Sequence, residues 1–423
     1  MINISVQEDL LMPLPMPAKG TPWETLQPDM IARGQGDAKW REGKTAVYVF
    51  NAGEDVARVQ KEAYTLYMSE NGLGPAAFPS LMQMERDVVD MGLWLLHGPE
   101  GSTGNITSGG TDSITMAVKA ARDYAFANKT ISGQPNLVIP YSAHPAFDKA
   151  CMMMSLELRR IPVGDDLLAD IAAMAAAIDD NTVMMVGSAP SFPYGLIDPI
   201  IELGQLAEEK DLWLHVDACV GGYIAPFVRM NGATIADFDF SIVSVHSMSA
   251  DLHKYGYCAK GASTVLFRSE ALQQYMIFDC KDWPSGRMIT PTLAGTRPGG
   301  AISAAWAVMN YLGVEGYRHK QGQVTQAREL IEAGAAKLGF TVLGEPVLGI
   351  TTLAHAECDV FAVYRRMFKR GWITSLTTEP KALHLMLSPF HLEVTDVYLA
   401  DLKASLDEVL AGDTRTLGEA RYS

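Results

Sequence analysis

Lys254 stands in the stretch Ser247-Met248-Ser249-Ala250-Asp251-Leu252-His253-Lys254-Tyr255-Gly256-Tyr257, directly after the apolar run Phe240-Ser241-Ile242-Val243-Ser244-Val245. That run reads as a strand ending near His246. A lysine just past a buried strand, beside a histidine and small polar residues, can form a Schiff base with an aldehyde. Taken alone, a His-Lys pair reads as a solvated surface feature. Three signals upstream change that reading.

Asp217 closes the apolar strand Leu212-Trp213-Leu214-His215-Val216-Asp217. A carboxylate there is costly unless something cationic meets it, and a protonated pyridine nitrogen would do so. His144 follows the strand Leu137-Val138-Ile139 in Tyr141-Ser142-Ala143-His144-Pro145. Its plain alternative is a hydrogen-bonded structural imidazole. Earlier still comes Asn105-Ile106-Thr107-Ser108-Gly109-Gly110-Thr111-Asp112-Ser113, before a helix with Ile114, Ala117, Val118, Ala121 and Ala125 on one stripe. Glycines let the backbone approach a ligand, and the first amides of the helix are open to an anion. The alternative is an ordinary loop capped by Thr111 or Asp112. Anion loop, histidine, carboxylate and lysine come in the order a pyridoxal phosphate (PLP) site needs. Beyond them lie Lys260 and Thr290 to Gly300, whose glycines and Arg297 suggest a second anion-contacting loop.

The elements that must position these residues alternate. Helices are expected over 167–178 and 200–210 and strands over 183–186, 212–217 and 264–267, which implies a mostly parallel sheet with helices on both faces. Ligands of such sheets sit at the carboxyl ends of the strands. Residues 56–70 and 81–97 read as helices around the Gly- and Pro-rich loop 71–79. At 423 residues the chain exceeds one ordinary core. Residues 1–55 lack periodicity and read as an arm lying on a partner subunit. A large domain over 56–310 follows, and the helix 302–312 leads into a smaller C-terminal α/β domain over 311–423.

The net charge of −15 argues against nucleic acid or anionic membrane as a partner. Five scattered cysteines without metal-ligand spacing fit a reducing compartment, the cytoplasm, and imply no metal. The N-terminal stretch, with Glu8, Asp9, Pro13, Pro15 and Pro17, reads as neither signal peptide nor transmembrane helix.

Five segments together resemble the PLP-dependent group II decarboxylase family of fold type I, the aspartate aminotransferase-like fold, and within it the sphingosine-1-phosphate lyase branch. They are Thr107–Ser113, Ser142–Phe147, Leu214–Cys219, Ser249–Tyr257 and Pro291–Gly300. The resemblance spans roughly residues 45 to 320. It implies that Lys254 carries the cofactor, Asp217 pairs with the pyridine nitrogen and His144 stacks on the ring. Gly109, Gly110, Thr111 and His253 would hold the phosphate, joined by Gly299 or Gly300 from the second subunit of a homodimer. The branch holds its substrate's phosphate with a tyrosine, a histidine and a lysine, and Tyr48 and Lys260 match two of them. The third is replaced by Gly74, in Asn71-Gly72-Leu73-Gly74-Pro75, and Ser188–Gly195 also departs from the pattern.

What this implies is a carbon–carbon lyase acting on a 2-amino-1-hydroxy compound, possibly phosphorylated. Tyr194, Lys254 or the cofactor phosphate would move the proton of the β-hydroxyl. An amino-acid α-decarboxylase on the same scaffold is the second reading. The third, a non-catalytic PLP-fold protein, is disfavoured by the presence of both Lys254 and Asp217.

Overall fold

The computed structural model describes residues 14–412. Seven strands form the central sheet: β1 (Thr103–Thr107), β2 (Asn136–Pro140), β3 (Glu157–Ile161), β4 (Thr182–Ser188), β5 (Trp213–Asp217), β6 (Val245–Ala250) and β7 (Ser263–Phe267). Their order is β1-β7-β6-β5-β4-β2-β3. Strands β3, β2, β4, β5 and β6 run parallel to their neighbours, and β7 lies antiparallel between β6 and β1. Both faces are apolar because alternate residues point to opposite sides. Leu137, Ile139, Val265 and Phe267 join one core, while Val138, Leu214, Val216 and Leu266 join the other.

The helices of this part of the chain, all but the exposed first one packed around the sheet or one another, follow in chain order. They are α1 (Trp23–Arg33), α2 (Glu54–Leu66), α3 (Pro79–Leu95), α4 (Gly110–Asn128), α5 (Ala146–Met154), α6 (Ile171–Ala176), α7 (Ile200–Lys210), α8 (Ala225–Met230), α9 (Glu270–Gln273) and the long α10 (Gly299–Ala336). A small hairpin, β8 (Phe278–Cys280) and β9 (Met288–Thr290), precedes α10. Beyond α10, β10 (Phe340–Val342), β11 (Ile350–His355), β12 (Ser375–Thr378) and β13 (Lys381–Met386) form a separate antiparallel sheet. It packs with α11 (Val360–Lys369) and α12 (His391–Leu410). This is the fold type I, aspartate aminotransferase-like architecture.

Several local expectations are corrected. The run Phe240–Val245 is mostly turn, with Val245 N–H donating to the Ile242 carbonyl and Val243 80% exposed. The strand is the more polar Val245–Ala250, because its backbone pairs with both β5 and β7 and its serines bond the polar side chains of β5. The helix expected over 167–178 shrinks to α6, since Leu167 adopts φ 66° and the Asp170 side chain caps the helix at Ala173 N. The arm is not structureless. It holds α1, none of whose residues is buried, and Lys44–Ala46, whose backbone bonds to Ile373 and Met386 of the C-terminal sheet. The expected division at 310/311 falls within α10, just before Gly313, where φ 53° and ψ −173° break the helix.

Gly299 and Gly300 open α10 pressed against the end of α2. A Cβ on Gly299 would come within 2.6 Å of the Glu70 carbonyl, and one on Gly300 within 2.8 Å of Tyr64. The helices therefore meet only because both residues lack side chains.

Candidate active site

The parallel strands β1, β2, β4, β5 and β6 bring their carboxyl ends to one cavity of about 390 Å³. Its wall includes Ser108–Asp112 after β1, His144 after β2, Ser188 at the end of β4, Asp217 at the end of β5, and Asp251, His253 and Lys254 after β6. The three upstream signals and the lysine thus meet in space, where strand ends of an α/β sheet leave a crevice.

The anion loop is held from beneath. Asp112 accepts from the Ser108 amide and hydroxyl, both at 3.0 Å, and so does not cap the helix in the expected way. Thr107 and Ser113 share a hydroxyl contact at 2.6 Å, and Ser113 reaches Ser263 at 2.8 Å. A Cβ on Gly110 would collide with Cys219 Sγ at 2.8 Å and Asp251 Oδ2 at 2.9 Å, so only glycine lets the helix start here.

Lys254 Nζ lies 3.0 Å from Asp251 Oδ2, and His253 Nε2 lies 3.7 Å from the same oxygen. Burial by itself would raise the Asp251 carboxyl, but Lys254 and His253 hold it below its ordinary value. Asp217 Oδ1 accepts from the Cys219 amide at 3.0 Å and the Ser249 hydroxyl at 3.1 Å. Burial lowers His144, with Asp217 opposing, and its Nδ1 accepts from the Ala146 amide at 3.1 Å. A neutral His144 therefore carries its proton on Nε2. Among the described residues, Ser188 Oγ, Asp251 Oδ1 and His253 Nδ1 are buried at this cavity without a hydrogen-bond partner. Buried polar atoms left so are the mark of a site built for a polar ligand.

The pattern of the pyridoxal-dependent decarboxylase conserved domain matches residues 7–352. The chain belongs to that family. It is similar to sphingosine-1-phosphate lyase of Oryza sativa subsp. japonica, 40% identical over 385 residues, covering 89% of this chain and 71% of that protein. It is also similar to a probable L-tyrosine/L-aspartate decarboxylase of Methanocella arvoryzae, 36% identical over 344 residues, covering 81% of this chain and 88% of that protein. Among solved structures, the sphingosine-1-phosphate lyase Bpss2021 of Burkholderia pseudomallei superimposes with a TM-score of 0.90. It is 33% identical and covers 94% of this chain and 93% of that one.

The cavity offers an amine at Lys254, a carboxylate at Asp217, an imidazole face at His144 and a glycine cradle at the start of α4. These features fit PLP. Other expected residues of this family member lie elsewhere. Tyr194 is buried in an adjoining cavity of about 440 Å³ that shares His144 and Phe192 with the first. Its hydroxyl donates to the Glu379 carbonyl at 2.6 Å, and burial raises its pKa. That bond ties the segment after β4 to the turn between β12 and β13 and commits the Tyr194 hydroxyl hydrogen to a backbone carbonyl.

Arg297 is not a free anion contact either. Its guanidinium is buried against Glu85 and donates to the Ile106 and Gly72 carbonyls. The Gly299 amide is likewise committed, to the Glu70 carbonyl at 2.9 Å. Lys260 folds back over the lysine segment, its Nζ 3.3 Å from the His253 carbonyl and 5.4 Å from the Phe50 ring centre. Lys260 is exposed as a residue, but the protein packed around its ammonium, and then Lys254, push it down to about 8. Tyr48 is half-exposed with φ 65°, two residues from Phe50, which packs edge-on against Tyr255 at 4.9 Å. Gly74 belongs to a different region of the protomer, the loop beside the cavity lined by Asn71, Pro75 and Arg297.

Asp251 is the residue that sequence reasoning passed over. It follows a strand that is polar at three of its six positions, so the cost argument that singles out Asp217 does not reach it, and its spacing of three from Lys254 is the one signal the sequence offers.

Proposed function

We propose that the protein is a PLP-dependent carbon–carbon lyase that cleaves a 2-amino-1-hydroxy substrate to an aldehyde and an amine. The observation that carries this reading is the likeness to sphingosine-1-phosphate lyase over 89% of the chain, at 40% identity. When bound, PLP supplies an electron sink for the pair left when a bond to Cα breaks.

The residues divide that work. Lys254 is the amine that holds the cofactor aldehyde, and Asp251 fixes its ammonium against the wall beforehand. Gly109, Gly110 and Thr111 hold the phosphate at the start of α4, with His253 beside them. Asp217 holds a proton on the pyridine nitrogen, and His144 covers one face of the ring. Cleavage then needs the Cα–Cβ bond perpendicular to the ring, which is a matter of positioning. The β-hydroxyl gives up its proton as the aldehyde leaves, and one proton returns to Cα, so the reaction balances without a further reactant. With Tyr194 bonded to Glu379, we assign this proton to Lys254. Lys260 and Tyr48 receive the anionic end of the substrate.

The active unit is read as a homodimer with shared sites. Supporting this, α1 buries nothing within the protomer and leaves Trp23, Met30 and Ile31 exposed. A fully active monomer in sedimentation would refute it. No helix among the described residues is long and apolar enough to cross a membrane.

An amino-acid α-decarboxylase is the second reading, favoured by the likeness to the Methanocella protein. Incubation with long-chain 2-amino-1-hydroxy compounds, with and without a phosphate ester, and with amino acids separates the two. The lyase releases an aldehyde. Carbon dioxide from an amino acid, with no aldehyde from any amino alcohol, would replace it with the decarboxylase.

A further inference from the structure

Residues 213, 215 and 217 of β5 point to one side of the sheet, and so do residues 247 and 249 of β6. The register sets His215 opposite Ser247 and Asp217 opposite Ser249. The resulting side-chain ladder is continuous. Trp213 Nε1 donates to Ser247 Oγ at 2.8 Å, and Ser247 Oγ lies 2.8 Å from His215 Nδ1. His215 Nε2 lies 3.2 Å from Ser249 Oγ, which donates to Asp217 Oδ1 at 3.1 Å. Trp213 is 2% exposed, and Ser247, His215 and Ser249 not at all. Water therefore plays no part in settling which way these hydrogens point.

The direction follows from the two ends. A carboxylate only accepts, so the Ser249 hydrogen points at Asp217. Ser249 Oγ must then accept from His215, which places the imidazole proton on Nε2. The bare Nδ1 takes the Ser247 hydrogen, and Ser247 Oγ accepts from the indole N–H, which is donor only. Burial favours the neutral ring this scheme needs, lowering His215 to about 4. The thiol of Cys219 is the other acceptor near Ser249, and an ionised carboxylate outcompetes it.

We propose that Trp213, Ser247, His215 and Ser249 form a one-way hydrogen-bond relay that locks His215 as its Nε2–H tautomer and aims the Ser249 hydroxyl at Asp217. All four bonds run in the same sense, so each polarises the next and the sum falls on the carboxylate. His215 is thereby a positioning residue. It touches no ligand, and through Ser249 it supplies Asp217 with a hydrogen-bond donor at a strand end where an unsupported carboxylate would be costly. The consequence for the cofactor rests on the proposed role of Asp217 at the pyridine nitrogen. The tautomer itself does not.

The test has two arms. In cofactor-free protein labelled with nitrogen-15 histidine, the His215 signals, assigned by loss in His215→Gln, should show a protonated Nε2 and a bare Nδ1 at neutral pH. A protonated Nδ1 would overturn the relay, and this arm asks of His215→Gln only that it fold, not that it bind cofactor. In the second arm, PLP affinity is read by cofactor fluorescence. Ser249→Ala should weaken it roughly tenfold, the worth of one charge-assisted hydrogen bond, while Ser249→Thr, which keeps the hydroxyl, stays within about twofold. Equal affinity in Ser249→Ala and wild type would overturn the claim that the relay supports Asp217. If wild type binds no PLP, the cofactor reading fails instead, and the tautomer alone decides the relay.

Discussion

Lys254 and Asp251 form an ion pair at 3.0 Å inside the cavity, one turn of chain apart, with the carboxylate almost wholly buried and the ammonium at its rim. The pair holds the lysine in place before any aldehyde arrives. It also opposes the reaction, because an ammonium bonded to a carboxylate is not a nucleophile until it gives up its proton.

Two variants separate these effects. Lys254→Ala should bind no PLP as a borohydride-reducible imine. Asp251→Asn should keep the imine and capture PLP faster at neutral pH, by about tenfold if one charge-assisted hydrogen bond is lost. Stopped-flow absorbance reads the rate. Slower capture by a folded Asp251→Asn protein would mean that orientation outweighs the cost of the proton.

Tyr194→Phe tests the reassigned tyrosine. Removing its bond to the Glu379 carbonyl should cost about 0.5–1.5 kcal/mol of stability in denaturant unfolding. Turnover should change only a few fold. A loss on the order of the hundredfold typical of a missing acid or base, with stability unchanged, would restore Tyr194 to the chemistry.

Lys260→Met should raise KM for a phosphorylated amino alcohol by roughly tenfold and leave kcat nearly unchanged, as expected for lost ground-state binding. Gly74→His should lower that KM. A Cβ on Gly74 meets only Ala77, at 3.7 Å, so a side chain fits. The loop of Gly74 shares no wall with the Lys254 cavity in one protomer, so in the proposed homodimer its effect would come from the partner subunit. An unaltered preference in both variants would remove the anionic-end assignment.

Acid should destabilise the protein between about pH 6.5 and 4. Burial drives His384 and His391 down to about 4, and each binds fewer protons folded than unfolded. Their contribution is full above the unfolded value and is lost as pH falls toward the folded one, at about 1.4 kcal/mol per pH unit for each group. His384 also holds the Phe192 carbonyl at 2.8 Å, which links this loss to the cavity wall. Unfolding free energies across this range should flatten in a folded His384→Gln, His391→Asn variant. An equally steep slope there would refute the assignment.

The strand-and-helix alternation, and the strand-end places from which His144, Asp217, the Ser108–Asp112 loop and Lys254 meet at one cavity, were legible in the sequence. Each depends on local chemistry: periodicity makes the strand, and a charge closing an apolar run demands a partner. Lys254 is legible even though the strand before it was misplaced by about five residues, because its neighbours identify it and the strand's exact limits do not. What only the tertiary structure decided are the pairings. The strand Val245–Ala250 is polar at three of its six positions, and its status rests on β5 and β7 on either side. Arg297 and Tyr194 look like active-site groups in one dimension and are taken up by Glu85 and Glu379, residues about two hundred positions away. Asp251 and the Trp213-to-Asp217 relay exist only once neighbouring strands fix which side chains face each other. Sequence spacing determines which groups a segment offers, whereas a hydrogen bond has one acceptor and one direction, and these are settled by what the fold brings within 3 Å.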